Sequence, residues 1–222
     1  KELANKGILS FTLDSIPRIS RAQAMDALTS MSTVAGYKSV LVAANLLTKF
    51  VPMIGTAVGM IKPATVFVIG VGVAGLQAAA TAKRLGANVL AMDIRPDALE
   101  HAKSLGVKVI ETGIPAELAV GEGGYAKNLL EEWLIKERAL IQEIVVNADI
   151  VIASALVPGK VAPILITESM VKQMKPGSVI IDISIDQGGN CELTVGAEIV
   201  KRYNVTIDGT KNIPGMVPTS ST

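Results

Sequence analysis

The chain has 222 residues, a net charge of +1, 50% apolar residues, 3% aromatic residues, one histidine and one cysteine. That length allows one large or two small domains, and the near-neutral charge gives no electrostatic case for nucleic acid. The lone Cys191 excludes an internal disulfide, and with no histidine near it in sequence it reads as a packed thiol.

Residues 8–16 (Ile-Leu-Ser-Phe-Thr-Leu-Asp-Ser-Ile) predict a strand that leads into Pro17. Ser20 to about Lys49 reads as one long helix, or two with a break near Gly36. The run Pro17-Arg18-Ile19-Ser20-Arg21-Ala22-Gln23-Ala24-Met25-Asp26 is densely polar. Ser20 with Gln23 spells an S-x-x-Q capping box, and the residues alone leave that reading and a ligand role equally open. Asp26 suits a dipole-compensating acid in the first turn, and Arg18 can pair with it or with a ligand.

Residues 63–82 carry no charge over twenty positions, the length of a membrane span. Their first part is β-branched and their second Ala-rich, with three glycines between, so a buried strand followed by a helix explains them better than a span. Residues 39–61 are a weaker candidate, broken by Lys49, Pro52 and two glycines. No membrane span is expected, and no signal-peptide pattern precedes this region.

From Pro63 onward strands and helices alternate. Strands are predicted at 65–69, 88–92, 107–111, 149–154, 178–183 and 204–208, and helices at 74–85, 96–105, 126–146, 167–174 and 194–203. Such alternation implies an α/β fold with a doubly wound parallel sheet of Rossmann type, covered by helices on both faces. The first strand ends in Gly70-Val71-Gly72-Val73-Ala74-Gly75. Gly70 permits a tight turn, Gly72 lets the backbone approach a pyrophosphate, and Gly75 lets the helix pack close to the sheet. The helix N-terminus offers free N–H groups and the positive end of its dipole. Asp93, at the end of the next strand, suits the ribose 2′-OH of NAD(H) and disfavours a 2′-phosphate, although Arg95 beside it can accommodate one.

Residues 113–124 hold four glycines in a long connection, and composition leaves a lid and a plain flexible loop equally open. His101 falls among polar neighbours and is expected to be exposed. No Ser/His/Asp set, Cys/His set or spaced metal ligands appear, and Lys160 is the one available base. A dehydrogenase acting on an alcohol or amine must move a proton with the hydride. Hydride transfer between two nicotinamides requires only positioning and exclusion of water.

Several runs resemble the NAD(H)-binding component of proton-translocating nicotinamide nucleotide transhydrogenase. They are Pro17 to Ser30, Ala35-Gly36-Tyr37, Gly70 to Gln77, Ala82 to Ala87, Gly123 to Lys127, Ala155 to Lys160, Lys175 to Asp182 and Gly188-Gly189-Asn190-Cys191. Alanine dehydrogenase is a relative with a similar nucleotide domain. The resemblance implies two α/β domains with NAD(H) in the cleft between them. Residues 1–60 would be the remnant of the first domain with its connecting helix, 61–208 the Rossmann-type NAD-binding domain, and 209–222 a tail returning toward the first domain. This pattern reads as a piece cut from a longer protein.

By the same resemblance, Gln23 reaches toward the second nucleotide, ordered by Arg18 and Asp26. Gly72 and Val73 meet the pyrophosphate, and Asp93, Ile94 and Arg95 the adenosine. Gly124 and Tyr125 sit on a loop that closes over the nucleotide, and Glu137 and Leu156 lie near it. The function implied is direct hydride transfer from NADH to NADP(H) held on a partner component. Proton translocation would belong to a membrane component, and a homodimer at the cytoplasmic or mitochondrial-matrix face of an energy-transducing membrane is implied. An alanine dehydrogenase-like oxidoreductase and a non-catalytic NAD-sensing module are the alternatives.

Overall fold

The computed structural model describes residues 2–11, 13, 16, 19–121, 126, 127, 129–157 and 159–220. Two short pieces open the chain, α1 (Glu2–Asn5) and a 3-10 turn (Ser20–Met25), followed by the long α2 (Ala27–Leu46) and a hairpin of β1 (Ile54–Thr56) and β2 (Gly59–Ile61). Then come β3 (Thr65–Ile69), α3 (Val73–Arg84), β4 (Asn88–Asp93), α4 (Pro96–Ser104), β5 (Lys108–Glu111) and α5 (Ala116–Ala119). The last stretch holds α6 (Glu131–Asn147), β6 (Ile150–Ala153), α7 (Glu168–Gln173), β7 (Val179–Asp182), β8 (Ile199–Arg202) and β9 (Val205–Asp208).

Seven strands form one sheet in the order β5-β4-β3-β6-β7-β9-β8. All neighbours run parallel except β8, which pairs antiparallel with β9. Because β3, β6 and β7 are covered on both faces, nearly every side chain in them is buried, which explains their unbroken apolar runs. Val66, Val68, Ile150, Ile152 and Ile181 face the layer made by α2, α3 and α4, where Val40, Ala43, Ala78, Ala82 and Ala102 are buried. Phe67, Ile69, Val151, Ile180 and Ile207 face α6 and α7 through Ile141, Val145, Met170 and Val171. The chain leaves β3 toward β4 and β5 on one side and toward β6 and β7 on the other. The crevice beyond the carboxyl ends of β3 and β6 is therefore the switch point at which such sheets take ligands.

The doubly wound reading and its six parallel strands hold. Four local expectations fail. The described residues of 8–16 form no strand, and Leu9 and Phe11 are exposed. Gly36 does not break the first helix: it lies inside α2, and the break falls at Asp26. Ser20 and Gln23 belong to the 3-10 turn, which has no side-chain cap, so the capping box does not form; Asp26 caps α2 instead. The helix expected at 194–203 is turns followed by β8. Tyr203 and Asn204 take φ of +50° and +63°, the left-handed pair that closes a two-residue hairpin and cannot continue a helix. Among the described residues no helix is long and apolar enough to cross a membrane.

Candidate functional site

Asp93 ends β4 at the mouth of the crevice and is buried. Its Oδ2 accepts the Val71 N–H at 2.7 Å and Arg95 Nη2 at 2.8 Å. Its Oδ1 accepts the Arg95 N–H at 2.8 Å and Arg95 Nε at 2.9 Å. A carboxylate has about four lone-pair positions, so in this state all of them are engaged. The same bonds hold the Arg95 guanidinium above its usual pKa, because the charged form is the one that Asp93 stabilises.

The glycine turn connects β3 to α3 beneath this pair. Gly70 has φ of +83°, and a Cβ there would lie 2.7 Å from Ala155 N on the next strand's exit. A Cβ on Gly75 would lie 1.8 Å from the Gly70 carbonyl oxygen. These two glycines are required by the protein's own packing. Around Gly72, the N-cap of α3, only Arg95 Nη2, at 3.9 Å, comes within 4 Å of a built Cβ, so this glycine keeps a space open on the crevice side. The first N–H groups of α3 lack helical partners and face a site suited to phosphate.

The crevice encloses about 560 Å³ and is lined by Gly70, Gly72, Val73, Gly75, Asp93, Ile94, Arg95, Glu137 and Leu156, all singled out in the sequence. It also takes Leu28 and Ser32 from α2, and Asp97 and His101 from α4. His101 is exposed, as expected. Gln23 is exposed and, like Asp26, is not among the lining residues. The Asp26 carboxylate accepts the Thr29 N–H at 3.0 Å and the Thr29 hydroxyl at 2.6 Å, an N-cap of ordinary kind. Arg18, Gly124 and Tyr125 lie outside the described residues.

Glu137 projects from α6 and is buried. Burial pushes its pKa up to about 7, and the nearby Asp93 charge adds to the rise while Arg138 opposes it. Cys191 is buried and pushed up to about 11, so it stays a thiol. The β6 side of the crevice is built from Ser154, Ala155, Leu156, Val157, Pro163 and Leu165, an apolar wall with one hydroxyl. Sequence reasoning missed Ser154, whose Oγ donates to the Gly70 carbonyl at 2.7 Å and ties the two strand exits together. Only the parallel pairing of β3 with β6 gives that serine a partner, so no local signal announces it.

The arrangement offers a phosphate turn, an acid at the β4 end and an apolar wall at the β6 end, which together suit an extended dinucleotide. The family model described as "Alanine dehydrogenase/PNT, C-terminal domain" matches residues 39–222. The chain is 48% identical over 216 residues to the first portion of the NAD(P) transhydrogenase subunit alpha of Rhodospirillum rubrum, covering 97% of this chain and 56% of that protein. It is 33% identical over 230 residues to the alanine dehydrogenase of Bacillus subtilis, covering 99% of this chain and 54% of that one. The crystal structure of transhydrogenase from Sinorhizobium meliloti superposes with a TM-score of 0.84 at 41% identity, over 99% of this chain and 59% of that one. The chain thus spans about half the length of the relatives it matches.

Proposed function

The chain belongs to the alanine dehydrogenase/PNT family, and from that premise we propose that it is the NAD(H)-holding part of a transhydrogenase. The observation that carries this is the crevice itself: a glycine turn open at Gly72, an acid at Asp93 and an apolar wall from Ser154 to Leu165. The pyrophosphate lies on the N-terminus of α3. The adenosine ribose lies toward Asp93, where its hydroxyls must take over bonds now made by Arg95. The nicotinamide half then falls on the β6 side, against the apolar wall.

NADH supplies the hydride. The residues of this chain bind it, orient it and keep water from it. Gln23, on the exposed turn before α2, faces outward to meet the second nucleotide, with Arg18 and Asp26 ordering the turn. Gly124 and Tyr125 belong to a loop that closes over the nucleotide. The acceptor is NADP+ on a partner component, and proton translocation belongs to a membrane component. The protein works as a homodimer at the cytoplasmic or mitochondrial-matrix face of an energy-transducing membrane. Residues 1–60 and 209–222 belong with a first domain, and 61–208 form the NAD-binding domain.

The test mixes this protein with a purified NADP-binding transhydrogenase component and follows reduction of an NADP+ analogue by NADH. Transfer is expected with the partner and little or none without it. Transfer without any partner, or NAD-dependent pyruvate formation from alanine by the longer protein, would overturn the reading.

A further inference from the structure

Asn190 has no exposed surface and lies behind the crevice wall rather than in it. Its carboxamide is fully used. Oδ1 accepts the Ala155 N–H at 2.9 Å and the Ser184 hydroxyl at 2.5 Å. Nδ2 donates to the Ala155 carbonyl at 2.9 Å and to the Pro163 carbonyl at 2.8 Å. The residue is itself anchored, because its backbone N–H donates to both oxygens of buried Asp182, at 3.1 and 2.9 Å. Asp182 also accepts the Cys191 N–H at 3.0 Å and the Thr194 hydroxyl at 2.8 Å.

One side chain therefore fixes the peptide planes on both sides of Ala155. Across the trans peptide from Ala155 to Leu156, the C=O and N–H point in opposite directions. With the Ala155 carbonyl turned back to Asn190, the Leu156 N–H points away from the network. Leu156 lines the crevice, and its N–H makes no hydrogen bond among the described residues. A free donor on an otherwise apolar wall is a specific feature, since such groups are seldom left without a partner. The position of this wall also matters to the turn, because Ala155 N is the atom against which Gly70 packs.

We infer that Asn190 is a positioning residue for the nicotinamide half of the nucleotide: it aims the Leu156 N–H into the β6 side of the crevice, where it donates to an acceptor on that half. The inference rests on the dinucleotide reading above. It separates the two halves of the ligand, since the adenosine half lies toward Asp93 on the other side of β3.

Calorimetric titration of the wild-type protein and of Asn190→Ala with NADH and with 5′-AMP tests it. Asn190→Ala is expected to weaken NADH at least tenfold and to change AMP by less than twofold. A purely structural role would weaken both alike or lower only the melting temperature. Ser184→Ala removes a single bond to the carboxamide and leaves its other partners in place. It is expected to weaken NADH two- to fivefold with the same indifference to AMP, and it decides the question if Asn190→Ala does not fold. Equal losses for both ligands, or unchanged NADH binding in a folded variant, overturn the inference. A wild-type protein that binds neither ligand overturns the nucleotide reading itself.

Discussion

A Cβ placed on Gly36 would lie 2.0 Å from the carbonyl oxygen of Ala74, so α2 crosses the first turn of α3 backbone against backbone. The long first helix is thereby locked to the turn that forms the phosphate site. Gly36→Ala gains about 1 kcal/mol of helix propensity. The clash is with main chain, which has no rotamer to escape into, so overpacking of about 1–3 kcal/mol outweighs the gain. Urea unfolding should show a net loss of stability. NADH titration should show weaker binding, because the start of α3 has to move.

Asp93 and Arg95 set up a test of nucleotide preference. Asp93→Asn removes a charge-assisted acceptor, worth about 1.5–3 kcal/mol. NADH affinity should fall accordingly, and the preference over NADPH should narrow. Arg95→Ala removes the cation beside the acid and frees lone pairs on Asp93, so the preference for NADH should widen. Parallel titrations with both nucleotides check this. If both variants keep wild-type affinities, Asp93 has no part in reading the ribose.

Glu137 makes stability depend on pH. Its folded pKa of about 7 stands above the ordinary carboxylate value of 4.5, so the folded state holds a proton that the unfolded state releases. The stabilisation is present in full below about pH 4.5 and is lost as pH rises to about 7, on the order of 3 kcal/mol over the window. Glu137→Gln should flatten that slope, and melting temperatures measured from pH 5 to 8.5 should show the variant gaining on the wild type at the alkaline end. A wild-type slope retained in the variant would assign the pH dependence to another group.

Asp149 does comparable work at the opposite end of the strands. Its Oδ2 accepts the Thr65 N–H at 2.7 Å and pairs with Lys49 at 3.1 Å, and its Oδ1 lies 3.7 Å from Lys175. Both lysines are more than a third exposed and can return to water, so the pairs contribute little and the buried acceptor matters more. Asp149→Ala should cost about 1–3 kcal/mol in denaturant unfolding. Lys49→Ala and Lys175→Ala should each cost under about 1 kcal/mol. NADH affinity should be unchanged in all three, since this edge of the sheet is remote from the crevice.

Gln23→Ala should slow transfer to NADP+ on the partner component more than it weakens NADH binding. Stopped-flow transfer rates and equilibrium titrations on the same variant separate the two effects. Loss of binding with an unaltered transfer rate would remove Gln23 from the reacting end.

Much of the nucleotide domain was legible because its signals are local. An apolar run ending in Gly70-Val71-Gly72 can hardly be other than a buried strand and a phosphate turn, and Asp93 closes the next strand at its expected place. The errors fall where a local pattern serves a distant purpose. Gly36 looks like a helix breaker and is instead the point of closest helix contact. The 194–203 segment carries helical spacing, but Tyr203 and Asn204 turn it back as a hairpin along β9. The Ser20–Gln23 pattern imitates a cap, while the cap that forms is Asp26.

By itself the sequence determined the doubly wound sheet, the glycine turn and most of the residues that line the crevice, because strand periodicity and turn chemistry act within a few residues. Tertiary structure alone decided that Arg95 occupies Asp93, that Glu137 is buried near enough to feel its charge, and that Asn190 grips Ala155 across 35 residues of chain. Those relationships depend on which strands lie side by side and on what burial does to charges and amides, and neither is written in local spacing.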